Sequence, residues 1–156
     1  MIDNPEWAAL GPKQVNAEGL ITHAGIFGDN KNPSHRGWKS IDSGQYDDVL
    51  EAVSISGSAY FVKNELWRQM TECDLYKNHF PEAEGAFLPT PHFYEETWLS
   101  YHLREHGYKV MYYGESKIVH LWHQSSDPKS KEIYEKMLTS RSIFRNACEF
   151  HSIECD

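Results

Sequence analysis

Basic residues are scarce in this chain of 156: fifteen Lys and Arg stand against twenty-three Asp and Glu, a formal net charge of -8. That deficit argues against a protein that tracks a nucleic-acid backbone, because neutralising phosphates takes a surplus of cations on one face. Long apolar runs are missing too. No stretch approaches the roughly 20 residues needed to span a bilayer. The opening Met1-Ile2-Asp3-Asn4-Pro5-Glu6 has neither the positive flank nor the apolar middle of a secretory signal, so a cytoplasmic protein without a membrane span is expected. Cysteine is the third shortage. Cys73, Cys148 and Cys155 are an odd, scattered set with no CxxC pair, which suggests neither a disulfide framework nor a thiolate zinc site, and all three are expected to be reduced.

What is present is enough for a core. With 40% hydrophobic and 13% aromatic residues, residues 1–156 read as one domain. Residues 8–25 hold short apolar pieces broken by Gly11-Pro12 and Gly19, a pattern of short strands and tight turns; 28–44, rich in Asn, Ser, Gly and Asp, reads as a long loop. The β-branched and aromatic run 49–62 predicts a strand interrupted at Gly57. Asn64 predicts the cap of a short helix over 65–70, and the three prolines in 71–91 predict loop. Leu99 and Leu103, four apart and followed by Gly107, predict a helix of about three turns from Glu95. Two strands, 108–113 and 117–122, are expected around Gly114-Glu115-Ser116, and Asp127-Pro128 predicts the start of a helix running to about Phe150. Interleaved strands and helices give an α/β or α+β class.

Chemistry concentrates in the second half. Glu95 and Glu96 fall in the first turn of a helix, where free N–H groups and the dipole favour negative charge. Such a pair is either a simple dipole partner or, with one carboxylate ionised beside a hydroxyl, a general base. His120 ends a strand and is followed by His123 and by Gln124-Ser125-Ser126. An imidazole there is either a satisfied histidine or a ligand to a divalent ion, with the serine hydroxyls available to a phosphate. His120 and His123 would lie on opposite faces of a strand, so they do not make a bidentate site by themselves.

The order of these blocks resembles the C-terminal half of family 2 glycosyltransferases, nucleotide-sugar enzymes of the GT-A fold. The resemblance is carried by Leu10-Gly11-Pro12-Lys13 with Glu18 to Gly25, by Val53 to Lys63 around Gly57, by Tyr94-Glu95-Glu96 through Gly107-Tyr108-Lys109-Val110, and by Val119-His120 to Ser125. It implies a truncated GT-A-like mixed sheet with flanking helices, lacking the N-terminal nucleotide-binding half and its DxD motif. By the same resemblance Glu96 is the catalytic base, standing where the family has aspartate, with Glu95 as the preceding acid. His120 is the ligand of a divalent metal, Mn or Mg. Gly57 and Ser58 line the acceptor side. Trp98 and His102 occupy positions where the family has an aspartate and an arginine, and with Ser125 they are expected to contact substrate.

The function implied is transfer of a sugar from a nucleotide-sugar donor to a glycan or other hydroxyl acceptor. A separate nucleotide-binding subunit or a homo-oligomer would supply the donor site. Two further readings stand beside it: a non-catalytic glycan- or protein-binding module derived from such an enzyme, and a small hydrolase or metal enzyme pairing Glu96 and His120 with His92, His123 or Asp127.

Overall fold

The structure, a computed structural model, describes residues 1, 3–121 and 130–155. Its class is mixed α/β. The central strand β1 (Trp7–Val15) is buried along almost its whole length. The long strand β7 (Lys109–Val119) runs parallel to it on one side. On its other side lie the antiparallel strands β2 (Ile21–His23) and β6 (Phe61–Val62). A further strand, β5 (Val49–Glu51), pairs antiparallel with the outer side of β7, which completes a five-stranded sheet.

Gly11-Pro12, read from the sequence as a break, lies inside β1, and the break expected at Gly114-Glu115-Ser116 lies inside β7. One physical cause serves both. The register between the two strands shifts from Pro12 opposite Tyr113 to Lys13 opposite Lys117, so 114–116 bulge out and the proline sits where the ladder is already interrupted. Gly11 is needed for packing: a Cβ there would come within 2.8 Å of the Ile55 Cβ. Gly114 is tighter still. A Cβ would lie 2.1 Å from the Tyr46 carbonyl oxygen and 2.7 Å from that of Asp48, and backbone atoms cannot swing aside. Gly114→Ala is therefore expected to cost about 2 kcal/mol through forced displacement of the 46–48 segment. Its urea midpoint is the check, and an unchanged midpoint would refute the packing account.

Four α-helices occur among the described residues. The first two are α1 (Asn64–Thr71) and α2 (Asp74–His79); α2 occupies part of the segment expected to be loop. The prolines that suggested loop, Pro81, Pro89 and Pro91, all come after α2 and so do not oppose it. Helix α3 (Glu95–Glu105) ends before Gly107, whose φ of 80° supplies the left-handed stop the sequence predicts. The last helix is α4 (Lys131–Phe150); the start expected at Asp127-Pro128 lies outside the described residues.

Between β2 and β5 the long loop is not merely solvated. It contains a two-residue ladder, β3 (Ile26–Phe27) with β4 (Ser34–His35), and is pinned by Arg36. That guanidinium makes a bidentate pair with Asp48 at 2.6 and 2.9 Å and donates from Nε to the Ala24 carbonyl at 2.9 Å. It also lies over the rings of Phe27, Tyr46 and Tyr112.

Helix α3 is buried on two faces, all residues from Trp98 to Leu103 being inaccessible. Leu99 and Leu103 face the sheet with Ala9, Ile55, Val110 and Met70. Trp98 and Tyr101 face a second cluster formed with Tyr76, Phe144 and Ala147. The cysteines are all free thiols. No helix among the described residues is long and apolar enough to cross a membrane.

Candidate functional site

The geometry that matters follows from the crossover. The chain leaves β1, wanders through α1 and α2, and returns by α3 to β7 parallel to β1. Since α3 runs back against the strand that follows it, its first turn lies at the carboxyl ends of β1 and β7, where α/β sheets generally bind ligands. Glu95 and Glu96 occupy that turn. The backbone entering it is strained: Phe93 and Tyr94 are both left-handed, with φ of 70° and 71°, a conformation that non-glycine residues hold only when their surroundings impose it. The Thr90 hydroxyl donates to the Phe93 carbonyl at 2.8 Å and lies 3.4 Å from a Glu95 oxygen, which pins this entry.

Glu96 is half-buried, and its Oε1 accepts the Gly57 N–H at 3.3 Å. Removal from water pushes its carboxyl up to about 7, and the neighbouring Glu95 charge adds to the rise. The N–H groups of Gly57 and of the helix start pull the other way and lose. Gly57 is a packing requirement as well, since a Cβ on it would fall 3.1 Å from Glu96 Cδ. A single turn of 3₁₀-helix, Gly57–Ala59, presents this N–H, and both Gly57 and Ser58 are exposed beside the carboxylate.

Hydroxyls tie the turn down. Ser100 Oγ donates to the Glu96 carbonyl at 2.8 Å, so its lone pairs receive Ser54 Oγ at 3.1 Å and the Tyr60 hydroxyl at 3.2 Å. Ser58 Oγ donates to Gln14 Oε1 at 2.7 Å, which leaves Ser56 Oγ to donate to Ser58 at 2.8 Å. The Ser56 N–H goes to His23 Nε2 at 3.3 Å. Burial holds the His23 ring down to about 3, so it is neutral and accepts at that nitrogen. Gln14 Nε2 is buried without a partner. Gln14, Tyr60 and Ser100 were not legible as site residues from sequence, because each reaches Glu96 or Ser58 only through the fold.

The other expected residues are placed differently. Trp98 and His102 lie on the face of α3 turned from Glu96, as offsets of two and six residues (about 200° and about 240° around the helix) require. Both are buried: Trp98 stacks on Tyr76 with ring centroids 5.9 Å apart, and the His102 ring is 5.2 Å from the indole. His120 follows the end of β7, half-buried, with its N–H on the Val15 carbonyl at 2.8 Å. It belongs to no grouping of three or more metal-ligating side chains among the described residues; such a grouping occurs instead at Cys73, His102 and His106. Ser125 and His123 lie outside the described residues.

Glu96 lines neither of two cavities among the described residues. One, about 540 Å³ and open, is bordered by the buried Lys13 with its partners Asp42 and Asp47, and by Lys117. The other, about 200 Å³, lies between Ser54, Tyr94, Thr97 and Phe144, and is below the roughly 300 Å³ at which ligand pockets usually begin.

No family model, curated protein or solved structure matches this chain. The site must therefore be read on its own chemistry.

Proposed function

We propose that this chain supplies the acceptor side of a sugar-transfer reaction, with Glu96 as the base that takes the proton from the attacking hydroxyl. One observation carries the reading: a carboxylate held near 7, at the first turn of the crossover helix and beside the exposed Gly57-Ser58 turn. A base with a pKa near the working pH is ionised often enough to act and basic enough to accept a proton in the transition state. The Gly57 N–H and the N–H groups of the helix start hold the carboxylate in place beside the exposed Gly57-Ser58 turn. Glu95, at the same helix start, keeps the site acidic and tends to repel a free diphosphate. The reading accordingly needs a divalent cation, Mn or Mg, held with the donor, and a nucleotide-binding half supplied by a further segment or a separate subunit. His120, at the end of β7, is the ligand for that cation which the family resemblance implies, one imidazole completing a shell made mainly of the donor's phosphate oxygens.

The test offers nucleotide-sugar donors with Mn²⁺ and a mixed panel of glycan acceptors, and reads transferred sugar by mass spectrometry. The expected result is acceptor binding by this chain alone and, once a nucleotide-binding half is supplied, transfer whose rate rises with pH through about 7 as Glu96 ionises. Absence of both transfer and acceptor binding across the whole panel would overturn the proposal.

A further inference from the structure

On the far face of α3 from Glu96, the first metal-binding chemistry that the fold assembles is soft. Cys73, in the turn between α1 and α2, meets His102 from the last turn of α3 and His106 at its C-terminal cap, and the three ligand atoms all lie within 4.8 Å of one another. His102 and His106 are four apart, so a helix places them on one face. We infer that Cys73, His102 and His106 form a zinc site.

Two independent observations point the same way. His102 is 2% exposed, yet neither of its ring nitrogens has a hydrogen-bond partner, although buried polar groups are normally satisfied. A metal on one nitrogen answers that deficit. His106 is already oriented as a ligand would be: its Nδ1 lies 2.9 Å from the His102 carbonyl. A carbonyl only accepts, so Nδ1 carries the proton and Nε2 keeps its lone pair, the arrangement by which ligating histidines are usually fixed through their second nitrogen.

Zinc bond lengths of about 2.0–2.3 Å put ligand atoms roughly 3.5 Å apart in a tetrahedron. The observed spacing is therefore loose by about 1 Å, which small side-chain rotations close. One thiolate and two imidazoles select Zn²⁺ over Mn²⁺ or Mg²⁺, which prefer oxygen donors. Three protein ligands leave a fourth position, open on the side where His106 is exposed. Bound metal would fasten the α1–α2 turn to the end of α3. This site shares no residue with the Glu96 end of the helix and does not depend on the sugar-transfer reading.

The experiment uses the 156-residue chain, stripped with a chelator and titrated with Zn²⁺ by calorimetry and with Co²⁺ by absorbance. One equivalent of Zn²⁺ should bind per chain, and Co²⁺ should give a thiolate-to-cobalt charge-transfer band. Cys73→Ser and His106→Ala should each weaken Zn²⁺ binding by more than about 10-fold, the lower end of what losing even a group that merely orients a ligand costs, and Cys73→Ser should abolish the band. Cys155→Ser should leave both intact. His106 is exposed, so His106→Ala tests the ligand without disturbing the core, and circular dichroism verifies each fold. Lack of stoichiometric zinc uptake by the wild type, or uptake that survives both Cys73→Ser and His106→Ala, would overturn the inference.

Discussion

Replacing Trp98 by alanine is expected to destabilise the protein by about 4 kcal/mol, the upper range for deleting a buried aromatic. The indole is wholly inaccessible and lies against three rings: Tyr76 of α2, His102 of its own α3, and His151 just beyond α4, 4.7 Å away. Helices α2 and α4 have no sheet pairing to hold them and rest on this cluster, so a cavity here cannot be closed by small shifts of one side chain. Against a typical stability of about 5–15 kcal/mol, the loss leaves little margin. Trp98→Phe is the informative companion. The indole N–H is buried without a partner, so phenylalanine removes an unsatisfied donor while keeping most of the ring, and a cost of about 1 kcal/mol is expected. Urea unfolding followed by circular dichroism measures both. A Trp98→Ala variant that kept its stability and instead lost affinity for a glycan would return Trp98 to the substrate contact that the family resemblance implies.

That contrast shows how far the sequence could be read. Helix α3 was legible because its information is local: Leu99 and Leu103 at helical spacing, acids at the start, Gly107 at the end. What the spacing could not convey is that α3 is buried on a second face. Trp98 and His102, expected from the family resemblance to contact substrate, are instead covered by Tyr76 of α2 and by His151 just beyond α4. The strands were misread for a related reason. Gly11-Pro12 and Gly114-Glu115-Ser116 each resemble a turn when taken singly, and only the pairing of β1 with β7 turns them into one shared bulge. The carboxylate site was visible in outline, through Glu96 and Gly57, since one lies on a helix start and the other in a glycine-interrupted strand. The residues that hold it, Gln14, Tyr60 and Ser100, come from separate segments and carry no pattern. The Cys73 grouping was invisible for the same reason, although the His102-x-x-x-His106 spacing was a signal in plain view.

Glu96→Gln should make the protein more stable and less active at once. The sign follows from the direction of the shift: the folded state holds the Glu96 proton up to about 7, against an ordinary value of 4.5. A group whose carboxyl binds its proton more tightly in the folded state stabilises the fold below about 4.5 and loses that contribution as pH rises through about 7. Above 7 the wild type carries a half-buried charge that the amide lacks. The variant should then be more stable by about 2–3 kcal/mol, the lower figure allowing for the water that still reaches the side chain. Below about 4.5 the two should converge. The difference between the two proteins is the right quantity to follow, because neutral buried histidines such as His23 bend the profile of each in the opposite sense at acid pH. Glutamine keeps an oxygen to accept the Gly57 N–H, so the geometry of the turn survives and only the ionisable group is lost. In the sugar-transfer reading the same substitution removes the base and should lower the rate by about 10²- to 10⁴-fold. Urea midpoints across pH 4 to 9 test the first half and the transfer assay the second. A stability difference that is flat with pH would mean that Glu96 is not held as a proton-binding group, and the catalytic assignment would fall with it.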